Sequence, residues 1–105
     1  MAQFDVHRNP NAASSKGIPY LINVQSELLE SMKTRVVVPL ARPEIIGNMP
    51  VKDLNPWFEI DGEKLVMLTP ELAGVSVKHL GQVVSNLIDR REDIVRALDI
   101  LISGA

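Results

Sequence analysis

The spacing of apolar residues changes once along this chain, and the change divides it. As far as about residue 81 the apolar positions fall in short alternating or continuous runs; from Gln82 onward they recur at helical intervals. Residues 4–7 (FDVH) alternate and predict a short edge strand. NPNAASSKG (9–17) predicts a mobile loop, with Gly and Lys not spaced as in a phosphate-binding loop. Residues 20–25 (YLINVQ) predict a second strand, paired with the first as a hairpin across that loop. Residues 26–31 (SELLES) predict either one helical turn capped by Ser26 or an irregular link. TRVVVPL (34–40) is the strongest strand pattern. Three consecutive valines require burial on both faces, or a core on one face and a subunit interface on the other. Pro39 cannot donate to a ladder, which places it near an edge or a bulge.

Pro43, Gly47, Pro50 and Pro56 break the stretch 42–56 into a loop, with a short strand expected near Leu54. WFEIDGEKLVML (57–68) predicts a hairpin turning on Asp61-Gly62. Thr69 is expected to cap a short helical start with Pro70 at its first position. Residues 75–77 predict a last short strand. Then the period shifts. With Ile94 at zero and 100° per residue, Leu87, Leu98 and Leu101 fall within about 40° of it, and Val95 and Ile102 at roughly 100° and 80°. Glu92, Arg96, Asp99 and Ser103 gather near the opposite side, and Ile100 lies outside the apolar arc, a candidate exposed contact. One amphipathic helix is therefore expected from about 87 to 102. Asp89 and Glu92 have capping-box spacing, and a Glu92–Arg96 pair would add about 0.3 kcal/mol. Strands followed by one helix predict an α+β or mainly β fold, a small antiparallel sheet or barrel.

Composition narrows the function. The 105 residues fit one domain, 1–105. Aromatics are only 4%, so the core must be mostly Val, Ile and Leu. The net charge of −2 argues against a phosphate-driven nucleic-acid binder. The chain has no Cys and hence no disulfide framework. No apolar leader is read at the N-terminus and no run approaches a membrane span, so a cytoplasmic protein is expected.

Little here resembles reaction chemistry. His7 and His79 stand apart, without a Ser or Asp companion, and read as surface or half-buried histidines. No clustered ligand set indicates a metal. Glu92-Asp93 beside Arg90-Arg91 reads as a solvated helix face. Arg35, inside an apolar strand, either points to solvent or makes a specific buried pair. Trp57, the lone Trp, reads as core or otherwise as a contact anchor. Leu28 and Leu29 are adjacent, so both cannot face one core from a strand, and one is exposed or covered by a partner. The residues alone lead to a small, dimeric interaction protein.

Four blocks then resemble one family in order and spacing: NVQSELLE (23–30), TRVVVPL (34–40), LTPELAGV (68–75) and RREDIVRALDILISGA (90–105). The sequence resembles the CcdB toxins of bacterial toxin–antitoxin modules. The resemblance implies a homodimer of SH3-like barrels with a C-terminal helix, to which TRVVVPL would contribute. It implies binding to the GyrA subunit of DNA gyrase, trapping of the gyrase–DNA cleavage complex, and neutralisation by a partly disordered CcdA-like antitoxin. It implies a poison that acts by binding, with no cofactor, no metal, no membrane and no direct nucleic-acid contact. Carried over by position, the gyrase-binding residues are Leu28, Leu29, Asp99, Ile102, Ser103, Gly104 and Ala105. The tail departs from the best-known member's Trp-Gly-aliphatic end. Losing roughly 150 Å² of contact at about 25 cal/mol per Å² weakens binding by on the order of 4 kcal/mol. A weak gyrase binder acting mainly as an antitoxin partner is thus the second reading. A third is an mRNA endonuclease of the MazF type, which shares the barrel and would use Arg35 and Thr34; it lacks a clear basic patch.

Overall fold

A computed structural model describes residues 1–47 and 50–104. Seven strands lie within them: β1 Asp5–Arg8, β2 Tyr20–Asn23, β3 Thr34–Ala41, β4 Trp57–Ile60, β5 Glu63–Met67, β6 Ala73–Ser76 and β7 Val83–Asn86, followed by helix α1, Arg91–Ser103. They form one antiparallel sheet in the order β4-β5-β3-β2-β1-β7, with β6 also paired to β3. The sheet curls into a half-barrel with the single helix at its C-terminal end, a small α+β barrel fold as expected.

The first hairpin forms as the pattern predicts, with Val6 opposite Ile22 and Arg8 opposite Tyr20. However, β1 is no edge strand, because β7 pairs with its other side. The sequence pattern hides β7: VVSN is short and runs straight into the helix, so residues 75–77 are not the last strand region. The loop 9–17 is closed by its own hydrogen bonds. Asn9 Nδ2 donates to Ser14 Oγ at 3.0 Å and to the Ile18 carbonyl at 2.8 Å, and Ser15 N donates to Asn11 O.

Strand β3 is the axis of the sheet. Val37 and Val38 are buried, as three consecutive valines require. Thr34 to Val37 pair with β6, and Leu40 and Ala41 pair with β5. Pro39 falls at the hand-over between those partners. Its carbonyl accepts from Leu68 N at 2.9 Å, and in an antiparallel strand N and O of one residue point to the same side. The missing N–H thus faces Leu68 and not β2, and Leu68 O accepts from Glu71 N instead, so a central strand tolerates the proline.

Strands β4 and β5 turn on Asp61 (φ 55°) and Gly62 (φ 79°), both left-handed, as a tight two-residue hairpin demands. Phe58 and Ile60 point inward, so Trp57, one residue out of phase, points outward and is 50% exposed. Trp57 is therefore not core. The run WF offers two candidate phases, and the match of Phe58 to Ile60 decides between them. Lys64, diagonal to Trp57 across the ladder, lies 3.6 Å from its ring centroid. No strand forms near Leu54: its carbonyl accepts from the buried Thr69 hydroxyl instead. That bond occupies the Thr69 side chain, so Leu68, not Thr69, precedes the short turn Thr69–Glu71.

The core gathers Phe4, Val6, Ile22, Val38, Leu40, Phe58, Leu65 and Met67 from the sheet, with Ile94 and Ala97 from the helix. Arg42 fastens one rim of the sheet by donating to Glu63 at 2.7 Å, and that carboxylate holds the guanidinium pKa above its ordinary value. Helix α1 starts after a short turn, Ile88–Arg90, and no side chain caps it, so the Asp89–Glu92 capping box does not form. Arg96 pairs with Asp93 at 3.3 Å and not with Glu92.

Candidate functional site

The sequence-predicted contact residues sit on two elements. The first is the end of α1. Ile94 and Ala97 are the buried residues of the helix, and Val95 and Leu98 pack partly against the core. The opposite face carries Asp99 and Ser103, both exposed, where the wheel places them. Ile102 is 77% exposed, so its position on the flank of the apolar arc does not translate into core packing. No residue of the last turn is buried; Ile100 and Leu101 are half-buried. The Ser103 hydroxyl donates to the Asp99 carbonyl at 2.7 Å, folding back along its own helix onto the preceding turn. Gly104 ends the helix in the left-handed conformation (φ 74°), its N–H donating to Ile100 O at 3.0 Å. Glycine adopts that φ at no steric cost, which is why the helix stops here. Ala105 lies outside the described residues.

The second element is the link between β2 and β3. Ser26 does cap a turn, Glu27–Leu29: its Oγ accepts from Leu28 N at 3.2 Å. Both leucines are exposed, Leu28 at 93% and Leu29 at 47%. Two adjacent leucines open to water make a contiguous apolar patch, the kind of surface feature that marks a contact site. Met32, which the sequence pattern does not single out, is 48% exposed on the same link. Helix α1 itself rests on the turns Thr69–Glu71 and Ile88–Arg90.

The remaining candidates are structural. Arg35 is buried, and of the two expected alternatives it takes the inward one, yet its partners are the carbonyls of Glu30, Met32 and Thr34 and not a carboxylate. It is thus unavailable to a scissile phosphate. His7 is fully buried, not superficial. Its Nδ1 lies 3.0 Å from the Gly81 carbonyl, which can only accept, so Nδ1 carries the proton. Its Nε2 is buried without a partner in the structure. Arg90 donates to Asp93 at 2.8 Å, and together with Arg96 gives the expected solvated helix face. An open groove of about 690 Å³ runs between this face and Trp57, floored by Pro43, Pro56 and Val66. Among the described residues no group of three or more His, Cys, Asp or Glu side chains is placed to hold a metal. No helix there is long and apolar enough to cross a membrane.

What these features share is exposed apolar contact, with titratable groups either paired or scattered. The fold is that of a small α+β barrel protein with apolar side chains left open on two elements. The chain matches the CcdB protein family over residues 3–104 and belongs to it. Membership supports a toxin–antitoxin kind of function directed at gyrase, and a toxin that poisons its target rather than an enzyme.

Proposed function

We propose that this protein is the toxin of a type II toxin–antitoxin system that binds the GyrA subunit of DNA gyrase, traps the cleavage complex and is neutralised by a CcdA-like antitoxin. The observation that carries the reading is the exposure, in a member of this family, of the carried-over contact residues Leu28, Leu29, Asp99, Ile102, Ser103 and Gly104. Two of them, Leu28 and Ile102, are large apolar side chains left almost wholly in water. A docking partner covers such residues at low desolvation cost, while the adjacent Asp99 and the helix-end carbonyls orient it. The protein acts as a homodimer in this reading. Strand β3 has no free edge, so its share of a dimer contact falls to the half-buried Val36 and Pro39.

Expression in a gyrase-sensitive bacterium, with and without a GyrA resistance mutation, tests this. Growth arrest that the resistance mutation relieves is expected; arrest unchanged by it sinks the gyrase reading. The small tail supports a second reading, a weak poison that serves mainly as antitoxin partner. The Ser103 hydroxyl is turned back onto Asp99 O, so it offers a partner little anchoring area. That reading predicts antitoxin binding without growth arrest. Incubation with RNA separates both from an endonuclease, for which cleavage is the signature.

A further inference from the structure

Arg35 and Gln25 make no contact in the reading above, yet both are polar side chains buried beneath an exposed link. Arg35 is 6% exposed, and among the described residues no ion pair includes it. Its Nη1 donates to the carbonyls of Met32 and Thr34 and its Nη2 to that of Glu30 at 2.6 Å. A guanidinium buried on carbonyl dipoles alone gives up hydration without gaining a counter-charge, which is a poor source of stability. Gln25, 9% exposed, donates through Nε2 to the carbonyls of Leu29 and Thr34, both at 3.2 Å, and accepts from Val36 N at 3.0 Å. Two buried side chains thus hold four carbonyls of a link in which every residue from Ser26 to Thr34 is exposed. That link carries Leu28, Leu29 and Met32.

We propose that Arg35 and Gln25 are positioning residues. They fix the link from beneath so that Leu28 and Leu29, with Met32 as a third contact, meet the gyrase A subunit as a preformed apolar knob. A link ordered before binding avoids the entropy loss that a floppy one suffers on docking. The burial of a cation is explained by the geometry it imposes rather than by the stability it adds. This inference rests on the gyrase reading and deepens it.

The test uses the full-length protein and immobilised gyrase A subunit, read by surface plasmon resonance. Leu28→Ala and Arg35→Met are each expected to weaken binding about tenfold. The double variant is expected to be no more than about twofold weaker than either single one, because Arg35 acts through the knob. Arg35→Lys, which keeps the charge but not the fork, should restore part of the affinity. Amide exchange in Arg35→Met should quicken at Glu30 and Met32 while Val38 stays protected. Should Arg35→Met not fold, Gln25→Met carries the same comparison. Fully additive losses, or wild-type affinity in Arg35→Met despite quickened exchange, overturn the positioning role alone. Absence of any binding by the unaltered protein overturns the gyrase reading and this inference with it.

Discussion

Leu28 and Ile102 are the two most exposed large apolar residues among those described, at 93% and 77%, but opposite means hold them there. Ile102 rides on a regular helix. Its orientation follows from Ile94 and Ala97, buried about two turns and just over one turn earlier, and from a glycine that ends the helix just beyond it. Leu28 sits on a link with one short turn of regular structure, whose shape depends on two buried polar side chains, Gln25 just after β2 and Arg35 in β3. Apolar packing is spread over many atoms and is non-directional, so a helix end tolerates small losses anywhere along its stripe. Polar support is concentrated in a few directional bonds, so the link stands or falls with them.

The largest expected effect is on the helix side. Ile94→Ala removes a fully buried side chain where helix meets sheet and should cost about 2–5 kcal/mol by urea unfolding. Retention of full stability would mean that the helix is not seated by that contact. On the link side, Gln25→Ala leaves Val36 N without its partner and takes one of two donors from each of the Leu29 and Thr34 carbonyls. A loss of about 1–3 kcal/mol is expected, with amide exchange rising in 29–34 before it rises in the helix. Exchange rising equally in both would dissolve the contrast between the two regions. Ser26→Ala deletes the single side-chain cap of the Glu27–Leu29 turn and should cost about 0.5–1 kcal/mol in thermal unfolding. Asp93→Asn weakens two exposed pairs, to Arg90 and Arg96, and should change stability by under about 0.5 kcal/mol. Leu28→Ala and Ile102→Ala should leave stability within about 0.5 kcal/mol, since neither side chain is buried. Their effect belongs to partner binding, and a large drop in melting temperature for either would show a hidden structural role.

Much of the barrel is legible in the sequence. The Asp61-Gly62 hairpin, the valine run of β3 and the helix face bearing Asp99 and Ser103 each follow from a single period and a turn signal. Sequence and fold part company where two signals compete or where no local one exists. Trp57 and Phe58 present both strand phases at once, so local sequence does not rank them. Ile102 belongs to the apolar arc by angle but lies past the buried part of the helix. β7 is four residues long and merges into the helix pattern, and only its pairing with β1 makes it a strand.

The sequence by itself determined the change of period, the turns, the strand–strand–helix order and the residues placed at the helix tip. These are local properties, fixed by dihedral preference and by the alternation of side chains along each element. Only the tertiary structure decided that β1 is interior, that Pro39 falls where β6 gives way to β5, and that Arg35 turns inward onto three carbonyls. Those outcomes depend on which distant backbone groups arrive beside a residue. Burial and hydrogen-bond satisfaction are settled between segments, and no window of sequence contains both partners.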